Sequence, residues 1–389
     1  MGLLLLPPLW MGAKVVKTRH SDIWIPTYLK ELLGGRYSAN HESRHFIFLM
    51  CDHWEPGDGP RGQAKANNWL QNFEEIATRH TDSQGRKFQY SWFYPIDNFD
   101  PVIIDSLASS SRRGFGEIEV HWHHRHDDGE SFSADLKTAL SGFTAVGALI
   151  SAPDAVPRFS FIHGNWTLDN SGDPRFCGVD EEIRILQENG CYADFTFPAL
   201  GTPAQPKVFN RIFYCQDTPL PKSYDVTALP ATRGKPGTGL LMIPGPLGLD
   251  FKDPRIFMEY GSLDDAQGSG ATGKIFGPKD PADYFKKHRV DLWNRLAIGV
   301  EGKPEWVFVK IHAHGVVHAD LFFGGELDAM LTAIEEYCAE NDLKLHFVTA
   351  REAYNLVKAV EANSEKSPEE LYDFLIPPPL TRNNIQVLQ

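Results

Sequence analysis

The sequence predicts an α/β fold, a (β/α) barrel of seven or eight mostly parallel strands. Two observations carry this. Short apolar, β-branched or aromatic runs recur along the chain, each ending in polar residues and followed by helical spacing, the order that builds parallel sheets. The polar ends of several of these runs also carry histidine, and in a parallel barrel such ends surround one mouth.

Residues 45–52 read as the first strand, 89–94 as the second and 117–124 as the third, with helices at 66–79 and 101–109. Residues 159–166 form a fourth strand and 192–197 a fifth. Between them 181–190 has helical spacing, and Gly190 suits the left-handed residue that ends a helix. The pattern lapses over about 201–279, a Pro- and Gly-rich stretch read as long loops over one face, with one buried strand at 239–243. Order returns with a helix at 281–296, a strand at 306–312, a helix at 326–341, a strand at 345–348 and a last helix at 352–362. The expected organisation is an N-terminal segment over 1–43 with an irregular start, a single barrel domain over 44–362, and an irregular tail over 363–389.

Of the 389 residues 42% are hydrophobic and 23% charged, an ordinary globular balance. No run reaches the eighteen or so apolar residues that span a bilayer, so no transmembrane segment is expected. The apolar opening from Met1 to Gly12 is interrupted by Pro7 and Pro8, and no Lys or Arg precedes it as a secretory signal requires. The five cysteines (Cys51, Cys177, Cys191, Cys215, Cys338) are odd in number and widely spaced. With no Cys-x-x-Cys pair among them, neither a disulfide framework nor a zinc knuckle is indicated, which fits a reducing, cytoplasmic compartment. A formal charge of −13 without a basic stripe argues against nucleic acid as a partner. No internal repeat suggests a solenoid or propeller, and oligomeric state is not legible.

The first strand runs into Cys51-Asp52-His53-Trp54-Glu55-Pro56, which sets a carboxylate and an imidazole directly after a buried apolar run. In the third strand, period-two alternation puts Ile118, Val120 and Trp122 on one face and His121 and His123 together on the other. Paired neutral imidazoles are common ligands for zinc and similar metals. Four histidines fall within six residues here (His121, His123, His124, His126), followed by Asp127 and Asp128. The fourth strand ends in His163-Gly164-Asn165-Trp166, where Gly allows close backbone approach and Asn and Trp could grip a sugar. The 306–312 strand ends in a second His-x-His pair, His312 and His314. All these ends converge on one mouth if the barrel forms.

The expected centre therefore binds a divalent metal, zinc by ligand type, through Asp52, His53, His121 and His123. A metal lowers the pKa of its bound water to roughly 7 and polarises a carbonyl, which suits amide or ester hydrolysis. Such chemistry needs a carboxylate base and an acid for the leaving amine. Asp52 and one of His312 or His314 have those types, and Trp54, His163, Asn165 and Trp166 are the candidate substrate contacts.

These residues resemble the polysaccharide deacetylase family, carbohydrate esterase family 4, over roughly Arg44 to Ala362. The runs Cys51 to Pro56, His163 to Trp166 and Val348-Thr349-Ala350-Arg351-Glu352-Ala353-Tyr354 look like a bacterial branch found with surface-polysaccharide genes. The resemblance implies metal-dependent removal of acetyl groups from an N-acetylated sugar or polysaccharide. The family's paired aspartates are matched only by Asp52-His53, so Asp52 is either the base or a ligand. Its two histidines four apart have no counterpart, since Arg125 follows His121 and Asp128 follows His124 at that spacing. Its Arg-x-Pro segment corresponds to Thr196-Phe197-Pro198, without the arginine, while Ile311 to His314 matches its late Leu-x-His motif.

Three other readings stand beside this one: a different barrel amidohydrolase, a retaining glycosidase using carboxylates such as Asp52, Glu55 and Asp97, and a metal-free barrel that binds polysaccharide or scaffolds an assembly. The run Gly268 to Lys274 mimics a phosphate-binding loop, but Ile275 stands where Ser or Thr belongs and no apolar strand precedes it.

Overall fold

The computed structural model describes residues 20–38, 43–151, 156–252, 258–263 and 287–383. Each of the eight expected runs forms a strand: β1 (His45–His53), β2 (Tyr90–Pro95), β3 (Gly116–Trp122), β4 (Pro157–His163), β5 (Cys191–Asp194), β6 (Leu240–Met242), β7 (Trp306–Ala313) and β8 (Lys344–Phe347). They lie in the order β7-β1-β2-β3-β4-β5-β6, every neighbour parallel. β8 pairs with His45 to Phe48 of β1 and β2 with Cys51 to His53, so β8 and β2 share one edge of β1 while β7 runs along the other.

Beyond β6 the sheet continues with the antiparallel segments Phe213–Cys215 and Leu229–Pro230. β6 is thus flanked by β5 and by Phe213–Cys215, and among the described residues no ladder joins it to β7. Lys310 Nζ on β7 donates to Phe197 O just after β5 at 3.1 Å. The architecture is a mixed α/β fold with a large, mostly parallel sheet, and its hydrogen bonds do not show the closed barrel expected from sequence.

Helix α1 (Ile25–Leu33) precedes β1, and α2 (Gly59–Ala77), α3 (Pro101–Arg112), α4 (Gly129–Ala145), α5 (Glu182–Glu188), α6 (Lys287–Leu296), α7 (Leu327–Glu340) and α8 (Ala350–Glu361) come after it. α2 begins seven residues before the apolar spacing does, because Pro60 suits the first turn. α4 was not expected. It starts at a capping box of Asp128 and Ser131 and buries Phe132, Leu136, Leu140 and Phe143, one stripe at helical spacing. Gly190 is left-handed at φ 96°, and a Cβ there would stand 1.9 Å from Pro157 O, so glycine is required where α5 turns into β5.

The described part of the tail, to residue 383, has little regular structure and packs against the domain. Arg351 Nη1 and Asn355 Nδ2 donate to Ile376 O, and Ser111 Oγ lies 3.1 Å from Thr381 Oγ1. The phosphate-loop mimic and the start of the 281–296 helix lie outside the described residues. Among the described residues no helix is long and apolar enough to cross a membrane.

The pleat of β1 sorts its side chains onto two packed faces. Phe46, Phe48 and Met50 pack in one core with Trp69 and Phe73 of α2, while Ile47, Leu49 and Cys51 pack with Phe93, Ile162, Leu241 and Phe308 from other strands. Each large apolar side chain buried this way contributes about 1.5–3 kcal/mol, so both faces of β1 are fixed and the residues at its end cannot exchange sides.

Candidate metal centre

Alternation carries His53 to the face of Ile47, Leu49 and Cys51, and Asp52 to the helix face. There Asp52 Oδ1 accepts from Gly315 N at 2.8 Å, and a Cβ on Gly315 would touch Asp52 Oδ2, Trp69 and Tyr90. The structure thus separates Asp52 from the donor set in which it was expected as a ligand.

His53 meets the other strand ends. Its ring lies 4.6 Å from His121, 4.7 Å from His314, 4.8 Å from Trp166 and 6.0 Å from His312. Trp166 lies 5.2 Å from His312. In a flat sheet the ends of β4 and β7, four strand spacings apart, would stand about 19 Å from each other, so the sheet curls strongly. One donor atom from each of His53, Glu55 and His121 falls within 4.8 Å of the others.

Glu55 is the member that sequence reasoning did not place at the metal. Its Oε1 lies 2.8 Å from His121 Nε2 and 3.0 Å from His123 Nε2. The signal was available, since Glu55 is a carboxylate two residues past His53. His121 Nδ1 lies 3.1 Å from Ile162 O. A carbonyl only accepts, so Nδ1 carries the hydrogen; Nε2 donates to the Glu55 carboxylate and would give up that proton to present its lone pair to a cation, the Nδ1–carbonyl bond being the device by which metal-ligating histidines are oriented. His123 is held by Asp97, whose Oδ1 accepts from His123 N at 3.2 Å and lies 3.4 Å from Nδ1.

Electrostatics divides these imidazoles. Burial, reinforced by His121, His314 and His312, holds His53 well below the usual imidazole range, so it is neutral. Burial also lowers His121, against Glu55. Burial would raise Glu55, but its hydrogen bonds with His121 and His123 outweigh that and keep it a carboxylate. Burial opposes charge on His123 as well, yet Asp97 and Glu55 win and push it up to about 9.

The donor set fits a divalent cation. Neither ring nitrogen of His53 has a hydrogen-bond partner among the described residues, although the residue is fully buried. An unmet buried polar atom costs about 1–3 kcal/mol, which coordination would remove. His53, His121 and Glu55 make up the His2Glu type used by hydrolytic zinc. His123 and Glu55 keep 25% and 23% side-chain exposure, so the centre opens on that side.

Of the remaining expected residues, His312 and His314 do reach the centre, His312 buried and His314 half-buried. Trp166 is half-buried with φ 64°, its ring turned to His53. Trp54 is fully buried against Trp69 and Tyr94, on the helix face where alternation puts it. His163 is fully buried beside His124. Asn165 spends its amide on His124 O at 3.2 Å and Phe176 O at 3.4 Å. Gly164 does allow close approach, for a Cβ there would stand 2.3 Å from His123 Cδ2.

No protein-family model matches the sequence, and no curated protein matches it. Solved structures similar to the chain include a Parabacteroides distasonis protein that carries the provisional description glycoside hydrolase/deacetylase. It is 12% identical, with 82% of this chain and 71% of that one covered and a TM-score of 0.41. Likeness of that depth identifies no activity, and the chemistry rests on the side chains.

Proposed function

We infer that the chain is a hydrolase dependent on a divalent cation, zinc by ligand type, that removes acetyl groups from an N-acetylated sugar or polysaccharide. The observation that carries the reading is the buried, unpartnered His53 imidazole, set against His121 and Glu55 at the ends of a curled sheet and open on the side of His123. The curl also supports a barrel-like mouth at these ends.

His53, Glu55 and His121 would hold the cation, which would supply Lewis acidity and lower the pKa of water to roughly 7. The protein supplies the rest. Ile162 O fixes the tautomer of His121. Buried walls keep the donor nitrogens out of solvent. His314, 4.7 Å from His53 and half-buried, takes the proton released as water adds to the acyl carbon. His123, ion-paired with Asp97, returns a proton to the amine as the C–N bond breaks, giving acetate and a free amino sugar. Trp166 offers an aromatic face to a sugar ring. Asp52 acts as a positioning residue, its carboxylate holding the backbone just after His314.

The test is acetate release from N-acetylated oligosaccharides by full-length protein, before and after chelation and with zinc restored. Release that stops on chelation and returns with zinc supports the reading. An intact fold that releases no acetate in any zinc-loaded state would overturn it and favour a barrel that only binds polysaccharide.

A further inference from the structure

A second donor cluster lies behind the first, and its case does not depend on the hydrolytic reading. His124 follows the alternation of β3 to the side of Trp122 and Phe132, opposite His121 and His123. There it meets His163 at the end of β4, Cys177 in the following loop, and Glu182 at the start of α5. One donor atom from each of the four lies within 4.8 Å of the others. His124 Nε2 is 3.1 Å from Glu182 Oε1, Cys177 Sγ is 3.3 Å from Glu182 Oε2, and His163 Nε2 is 3.9 Å from Glu182 Oε1. A tetrahedron with metal–N and metal–O bonds of about 2.0–2.1 Å and a metal–S bond of about 2.3 Å sets its donors roughly 3.3–3.7 Å apart. The observed spacings bracket that range.

Two further observations point to a ligand. His163 is fully buried and its Nε2, aimed at Glu182, makes no hydrogen bond among the described residues. His124 Nδ1 lies 3.1 Å from Asp127 Oδ2, the carboxylate–histidine arrangement that backs many metal-bound imidazoles.

We propose that His124, His163, Cys177 and Glu182 form a second, closed site for a zinc-type cation with a structural role. The contrast between the clusters assigns the roles, since structural zinc sites use four protein ligands and shut out solvent whereas catalytic sites leave a position open. Here none of the four residues is more than 3% exposed. Charge balances too, because one thiolate and one carboxylate neutralise a dication. On loading, Cys177 and His124 each give a proton to solvent, and the His163 proton moves from Nε2 to Nδ1. That gives up the 3.1 Å hydrogen bond in which Asn165 N donates to His163 Nδ1. The site would clamp residues 163–182 to the ends of β3 and β4 and thereby hold Trp166 over the first centre.

Cobalt loading of the full-length protein tests this, because only a thiolate ligand gives a sulfur-to-cobalt charge-transfer band in the near ultraviolet. The wild type is expected to show the band, Cys177→Ala to lose it together with one zinc equivalent per chain, and Cys51→Ser and His121→Ala to keep it. Asp127→Ala is expected to weaken cation binding at this site by about 10–100-fold. Absence of the band in the cobalt-loaded wild type would overturn the proposal, and that result needs no variant to fold. A wild-type zinc count in folded Cys177→Ala would overturn it equally.

Discussion

His123 holds its position because residue 164 has no side chain, which makes Gly164→Ala an informative perturbation. The new Cβ would stand 2.3 Å from His123 Cδ2 and 2.6 Å from its Cγ and Nε2, against ordinary contact from 3.4 Å upward. Gly164 is not in the left-handed region, so alanine adds no strain of its own, and its N–H is tied to Trp122 O at 2.7 Å, which limits backbone relief. The ring must therefore retreat by about 1 Å, and the 3.0 Å contact between His123 Nε2 and Glu55 opens beyond hydrogen-bonding range. Overpacking of this kind costs about 1–3 kcal/mol. With an unfolding entropy of about 2.1 cal/mol/K per residue over the 389 residues, Tm falls by about 1–4 °C. Turnover should suffer more, since a 1 Å misplacement costs on the order of 100-fold in rate. The assay is kcat/KM for acetate release beside a thermal melt and a zinc count. Full turnover in a folded variant would refute the role given to His123. A zinc loss as deep as that of His121→Ala would place the damage at the donor set instead.

Three further outcomes are expected. Arg351 makes a two-pronged pair with Glu117, Nη2 to Oε1 at 2.8 Å and Nε to Oε2 at 3.1 Å, both residues buried. Arg351→Met removes the cation from that buried carboxylate and leaves it the Thr349 hydroxyl at 2.7 Å, so denaturant melts should record a loss of about 3–5 kcal/mol with zinc content unchanged; a loss under about 1 kcal/mol would contradict this. For His80, burial opposes charge, but hydrogen bonds with Glu335 and Asp328 outweigh it and raise the imidazole above its ordinary value. A raised folded-state pKa stabilises fully below the unfolded value and is lost as pH rises through the folded one. The Tm difference between wild type and His80→Gln should therefore be larger near about pH 6 than near about pH 9, and a difference constant across that range would reject the assignment. Asp52→Ala should keep its zinc and lose turnover, because Gly315 N loses its acceptor and the adjoining His314 segment shifts, and loss of zinc in elemental analysis would restore Asp52 as a ligand.

Much of the fold was legible because each strand is a short apolar run that ends in polar residues, and all eight runs became strands. The convergence of His53, His121, His312 and His314 was legible for the same reason. Alternation in β3 pairs His121 with His123, as expected. The same rule in β1, where it was not expected to matter, sends Asp52 and Trp54 to the helix face together and leaves His53 alone at the centre. Glu55, a carboxylate two residues past His53, was the part of that signal left unread, because its partners His121 and His123 come from β3. The second cluster was less legible still. Cys177 and Glu182 stand outside the strands, at no recognisable ligand spacing from His124 or His163, and only the packing of α5 against the ends of β3 and β4 brings the four together. Helix α4 could have been found from its buried stripe, which the histidine-rich run before it overshadowed.

The central claim is that His53, Glu55 and His121 hold a divalent cation. Elemental analysis of untagged, zinc-loaded wild type and His121→Ala, both shown to be folded, tests it most directly. One fewer zinc equivalent per chain in the variant is the predicted result. Equal zinc in both proteins would contradict it.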